Sequence, residues 1–442
     1  CFLLVIALIL RTLVDGGVAN PPLGLGLGAV YAGCLVLIGY HRYAQMLRLG
    51  SVFASCGFLL FYAILLEGHA RFGILSAPAA YAGLAAGLAA AALPRRHRVP
   101  VTALCIGILG AAVTGIALEF PYPRLPFLAA LLLLAGIAAY RVRNAERCAW
   151  LKWTVLGLTV VFWFLWVVRV RASLGGAGNA AADPALNWLV PCLAAYTLLY
   201  ILAALMAVRR EHGFGRFEAL LPAVAALGGY AVAQAALAPA WSVYEPTATA
   251  ALASAGVFLL LGFRLAGRPR PRMRAAAAFI LPGAAVLAVS LPGAVPLPAA
   301  FATTAAAGLA IALISIHWRC RPVRACSYAL QAYACAAAVA TGALAVQSPL
   351  PVGRLVLAAT LGLLACAHFA VCRYWKARHD GSWFDSVDPR DRGALLCILA
   401  GVAAFFAAGR ILLFVSLGAS GNDADSFQCA QSVALAMGAV AL

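Results

Sequence analysis

The chain has 442 residues, 65% of them hydrophobic and only 10% charged, with a formal net charge of +18. A soluble domain usually runs near half apolar and a quarter charged, so a large water-exposed fold is excluded. Apolar runs near twenty residues recur along the chain, each long enough to cross about 30 Å of hydrocarbon as a helix, and the alternating segments of an outer-membrane barrel do not occur.

Taken in order, the apolar segments run 1–14, 22–40, 50–66, 73–93, 101–119, 127–140, 153–168, 188–208, 219–238, 247–263, 275–292, 299–317, 325–346, 355–372, 394–417 and 433–442. The expected fold is therefore all-α, a polytopic transmembrane helix bundle of about 16 segments with the first and last cut short. It reads as one membrane domain, and a division into two bundles would fall near the glycine-containing loop 169–187, with Gly175, Gly176, Gly178 and Asn179.

The loops carry the charge asymmetrically. Those after even-numbered segments hold 25 of the 32 Lys and Arg residues, and those after odd-numbered segments hold five. Arginine-rich loops stay on the cytoplasmic side, which places the start of the chain in the cytoplasm of a bacterial inner membrane. The same clusters argue against nucleic acid as a partner, since they are short and separated by apolar runs rather than gathered on one basic face. The expected partners are the lipid bilayer and other membrane proteins, including further copies of this chain.

Small residues mark where helices approach. Gly24 and Gly28 share a face four residues apart, as do Gly83 and Gly87. Lipid gives no hydrophobic drive for helix association, so such faces become the contact surface. An LPGA unit recurs at 281–284 and 291–294. Pro282 and Pro292 each remove a backbone donor, which predicts a kink or break in the eleventh segment. In the long loop 373–393, Trp375, Trp383 and Phe384 suggest a stretch lying at the interface. Asp388 followed by Pro389 reads as the cap and first-turn proline of the next helix.

Between residues 40 and 74, YHRYAQMLRLGSVFASCGFLLFYAILLEGHARFGIL resembles the hallmark region of a bacterial membrane-protein family, domain-of-unknown-function family 2339. The resemblance rests on Ala44, Gln45 and Leu47, then Gly50 and Gly57, then Tyr62. RVPVTALCIGILGAAVTGIALEFP and AERCAWLKWTVLGLTVVFWFLW are similar to later helices of that family, so the likeness covers roughly 20–170. The chain departs from it at Arg48 and Leu49, where the family has glycine, and at Ala117 and Leu118, where it has a proline-containing helix end. The resemblance implies many transmembrane helices in a bacterial envelope and no established reaction.

Ionisable residues inside a membrane are costly and are functional candidates for that reason. Arg410 is the foremost, either snorkelling to the outer interface or pairing with Glu67 or Asp423. Glu67 and His69, with Glu119, would line an outer mouth. His368 lies in the fourteenth segment. Tyr328, Gln331, Tyr333 and Gln234 are expected to form interhelical hydrogen bonds. Thirteen cysteines show no CxxC spacing, and neither an HExxH pair nor a GxSxG elbow occurs, so no metal, cofactor or catalytic residue is expected. The readings left open are a transport-like protein, an envelope scaffold, and a membrane enzyme acting on a lipid-linked substrate at the periplasmic face with Glu67, His69 or Glu119 as acid–base groups.

Overall fold

In the computed structural model the described residues are 20–43, 47–92, 101–118, 124–141, 149–175, 184–209, 214–237, 245–267, 273–318, 320–344, 352–375, 388, 391–418, 428–429 and 431–433. Among them the chain is helical, without strands. The helices are α1 (Pro21–Tyr43), α2 (Leu47–Ala70), α3 (Ala77–Ala92), α4 (Val101–Ala117), α5 (Leu125–Arg141), α6 (Ala149–Gly175) and α7 (Pro184–Arg209). They continue with α8 (Arg216–Ala223), α9 (Gly229–Leu237), α10 (Glu245–Ala266), α11 (Met273–Ala294), α12 (Leu297–Trp318), α13 (Arg321–Ala340), α14 (Val352–Tyr374) and α15 (Leu395–Gly418).

Among the described residues, ten helical stretches are long and apolar enough to cross a membrane. Those at Ala77–Ala92, Val101–Ala117 and Leu125–Tyr140 are shorter. The chain is therefore a multi-pass membrane protein. Each of the fourteen interior segments expected from hydropathy overlaps a helical stretch, and ten stretches among the described residues, against about sixteen expected, have the length and hydropathy to cross. Segment 1–14 and all but Val433 of 433–442 lie outside the described residues.

The chain divides into two compact units, Cys1–Ala203 and Ala204–Leu442. In the first, α1 packs along α2, and α2 packs on α3 and α4. Glycine makes these approaches close. A Cβ at Gly39 would lie 2.5 Å from the Ala54 backbone nitrogen, and one at Gly57 would lie 2.8 Å from the Ala32 carbonyl oxygen. Gly83 and Gly87 share a face as expected, against Leu65 and Tyr62 of α2. Gly28 meets Ile64.

In the second unit α10 pairs with α11, α12 with α13, and α14 with α15. Its core is largely alanine. Ala305, Ala334, Ala338, Ala358, Ala365 and Ala404 are almost fully buried, together with Phe301, Leu357, Leu361 and Ile411. Alanine at these positions lets helices pack closely with little side-chain entropy to lose.

The break expected at Pro282 and Pro292 is not observed. Both prolines lie within α11, which runs helical from Met273 to Ala294. Pro282 is buried, and the next residue, Gly283, brings the backbone of α11 against Ala255 and Leu259 of α10. Close packing from a neighbouring helix is what lets a membrane helix continue through proline. The irregularity occurs instead in segment 219–238. There Pro222, inside α8, is followed by a π turn at Val224–Gly228 before α9 resumes. Loss of the Pro222 N–H frees a carbonyl in the preceding turn, and a π turn is a common way to absorb such a defect.

Candidate functional site

Helix α13 differs from the other helices in where its polar groups lie. Arg321, Arg324, Ser327, Tyr328 and Gln331 recur at three- and four-residue intervals, so they stand on one face. All five are buried. The hydropathy reading began this segment at 325 and assigned Arg321 and Arg324 to a cytoplasmic loop. The helix in fact begins at Arg321 and carries both arginines inside the bundle. From Arg324 to Gln331 the face climbs seven residues, about 10 Å along the axis.

Arg324, 4% exposed, sits at the foot of this face and is held at almost every donor. Its Nε donates to the Tyr328 hydroxyl at 2.7 Å. Nη1 donates to the Trp375 carbonyl at 2.6 Å and Nη2 to the Cys372 carbonyl at 2.7 Å. Nη2 also lies 3.2 Å from Oδ2 of Asp391. These carbonyls belong to the last turn of α14 and the residue after it, which has no helical partner to offer them. Tyr328 in turn donates to Oδ1 of Asp391 at 2.9 Å, so both carboxylate oxygens are used. A buried guanidinium so fully paired avoids the penalty of a lone internal charge, which is several kcal/mol.

Asp391 reaches this position from a backbone in the left-handed region, with φ 53° and ψ 40°. That conformation is costly for a residue with a Cβ and is offset here by the two carboxylate interactions. Asp388 shapes the same corner. Its carboxylate accepts from the backbone N–H groups of Arg392 and Gly393, each at 2.7 Å, and its carbonyl accepts from Arg321 Nη1 at 3.0 Å. Asp388 is not the N-cap expected: Asp391 holds that place before the 3₁₀ turn Arg392–Ala394, α15 begins only at Leu395, and Asp388 meets the turn's first N–H groups from three residues further back. Pro389 lies outside the described residues. Gly393 packs under the Tyr328 ring, where a Cβ would approach Cδ2 to 2.7 Å.

Higher on the face is a second group. Ser327 lies 2.6 Å from the Arg324 carbonyl and 3.0 Å from Nε2 of His368 on α14. The carbonyl can only accept, so the single hydroxyl hydrogen goes to it, and Ser327 accepts from His368 Nε2–H. In the neutral ring Nδ1 is then a bare acceptor. His368 is completely buried, its ring centroid lies 5.6 Å from that of Tyr328, and Nδ1 has no hydrogen-bond partner among the described residues. Gln331, one turn above Ser327, is also completely buried. Its Nε2 reaches only the Cys335 sulfur at 4.0 Å, and its Oε1 has no partner among the described residues. Each unmet buried acceptor costs about 1–3 kcal/mol, so a donor reaching either would be held firmly.

Arg410 is half-buried in α15. Of its two expected partners, Glu67 belongs to the first unit and Asp423 lies outside the described residues. Glu67 and His69 end α2. His69 Nδ1 is engaged with the Leu75 carbonyl at 2.8 Å across the turn, and Arg71 lies over the Phe72 ring, which is the arrangement of a folded loop. Glu119 lies outside the described residues. Gln234 donates to Thr247 at 2.9 Å, one of the interhelical bonds expected, and Tyr328 and Gln331 enter the α13 face described above. Among the described residues no group of three or more His, Cys, Asp or Glu side chains converges.

No family model, curated protein or solved structure matches the chain.

Proposed function

We propose that the chain is a transport-like protein of the bacterial cytoplasmic membrane, with the polar face of α13 and His368 of α14 as its working part. The observation that carries this reading is the buried line Arg324, Ser327, Gln331 and His368, rising about 10 Å into an otherwise apolar bundle. Ionisable groups at such depth are costly and mark solute or ion paths in membrane proteins. The arginine asymmetry supports placing the α14–α15 connection in the cytoplasm, so this line would start at the cytoplasmic face. It also supports sixteen crossings with the start of the chain inside. The hallmark residues from Ala44 to Tyr62 support membership of domain-of-unknown-function family 2339.

The test is uptake or release of solutes by cells lacking the gene, complemented with wild type, Gln331→Leu or His368→Phe. The reading expects the deletion to change a flux and wild type alone to restore it. No change in any flux on deletion would overturn it.

The first unit favours a second reading, an envelope scaffold. Its helices meet through glycine against backbone, as at Gly39 and Gly57, and helix faces of that kind serve equally for contact with membrane partners. In-cell cross-linking that captures no partner, together with a monomer on purification, would remove it. For the enzyme reading, the Leu75 carbonyl accepts from His69 Nδ1–H and so fixes the tautomer in which Nε2 carries the lone pair.

A further inference from the structure

We propose that His368 and Gln331 form a binding site for a small uncharged hydrogen-bond donor, an O–H or N–H compound of which water is the smallest. The inference deepens the transport-like reading and rests on it for its purpose. Two features of the geometry select this chemistry. The atoms without partners, His368 Nδ1 and Gln331 Oε1, are both acceptors once the Ser327 hydroxyl has fixed the ring with hydrogen on Nε2. They stand on adjacent helices one turn apart, because Ser327 touches His368 and Gln331 follows Ser327 by four residues.

Charge excludes the alternatives. An anion would meet two bare acceptors, His368 Nδ1 and Gln331 Oε1, against at most the second N–H of Gln331 Nε2, whose printed contact is the Cys335 sulfur. A cation would sit above the Arg324 guanidinium, whose carboxylate partner Asp391 is already engaged with Arg324 and Tyr328. An uncharged donor meets neither objection. The α12 side of the site is backbone-close. A Cβ at Gly308 would come to 3.1 Å from the Ser327 carbonyl oxygen and 3.5 Å from the Gln331 nitrogen, so the site is narrow on that side and suits a small occupant.

The experiment is nitrogen-15 NMR of histidine-labelled protein in lipid nanodiscs, with the His368 signals assigned by their loss in His368→Phe. The expected result is Nδ1 at the position of a hydrogen-bonded acceptor, moving toward the free-acceptor position in Gln331→Leu. In Gln331→Leu the Nε2 signal, still held by Ser327, should stay in place, which separates local loss of a partner from general unfolding. A cross-peak from Nδ1 to water identifies water as the occupant. Displacement of that cross-peak by added ammonia, with the Nδ1 position kept, shows a site open to other small uncharged donors. A free-acceptor Nδ1 in the wild type, or a proton covalently on Nδ1, overturns the proposal. Unchanged solute fluxes on deletion, with a hydrogen-bonded Nδ1, would instead sink the transport-like reading and leave the site standing.

Discussion

The two compact units differ in which polar groups they gather on one helix face. In the first, Tyr62 donates to the Gly107 carbonyl at 2.6 Å, Tyr81 to that of Gly115 at 3.0 Å, and Tyr196 to that of Ala129 at 2.8 Å. Each is a neutral hydroxyl ending on a backbone oxygen of a neighbouring helix, a bond that pins helices together; the buried Tyr31 and Tyr200 hydroxyls lack such a bond among the described residues, and Lys152 is buried as well. Ser51 and Thr102 pair hydroxyl to hydroxyl in the same manner. In the second unit, α13 carries a guanidinium, a hydroxyl and an amide inward on one face, and its upper end finishes on two unmet acceptors. A membrane bundle that only needs to hold together is served by the first pattern. The second costs stability and is retained where polar groups have a task.

The comparison is sharpened most by Arg324→Leu. The change leaves the carboxylate of Asp391 and the hydroxyl of Tyr328 without their charged partner, and breaking a buried pair in this way costs about 3–5 kcal/mol. Thermal unfolding of the purified protein in detergent measures it, and stability equal to wild type would show that this network is not what holds the α13–α15 end. In the first unit the largest effect is expected from Gly39→Val. The added side chain meets the α2 backbone at Ala54 rather than a flexible neighbour, and such overpacking costs about 1–3 kcal/mol.

Gly393→Ala is smaller, about 1 kcal/mol, since the ring of Tyr328 can shift. Its cost should largely vanish on a Tyr328→Leu background, a coupling read by a double-mutant cycle. The smallest effect is Tyr62→Phe, about 0.6 kcal/mol. The ring stays wedged between Gly87 and Gly110, and only the bond to Gly107 is lost. A cost for Tyr62→Phe matching that of Arg324→Leu would erase the distinction between the units.

Hydropathy located the helices because a run of apolar residues is itself the cause of a membrane helix. The glycine face of α3 is legible for the same local reason, since four-residue spacing alone puts Gly83 and Gly87 on one side. Hydropathy erred where the cause is tertiary. Arg321 and Arg324 look like loop charges because charge is expensive in lipid, and only the carbonyls of Cys372 and Trp375, 48 and 51 residues later, explain how α13 accommodates Arg324. A signal was present, for 321, 324, 328, 331 and 335 follow helical spacing with a polar residue or cysteine at every step. Pro282 misled for a similar reason. Its local effect is to break a helix, and the packing of Gly283 on α10 is not written near it in sequence. His368 stands in the expected helix and is completely buried, but its partner Ser327 could be known only from the fold.

The most direct test of the central claim compares two native cysteines. Cys105 in α4 of the first unit is 6% exposed, and Cys335, one turn above Gln331 on α13, is 5% exposed. Static burial makes them equal. Under native conditions in membranes, labelling by N-ethylmaleimide, read for each cysteine by peptide mass spectrometry, should modify Cys335 well before Cys105, because a working polar face must open to solvent. Equal protection of the two thiols would contradict the account and make the second unit as closed as the first.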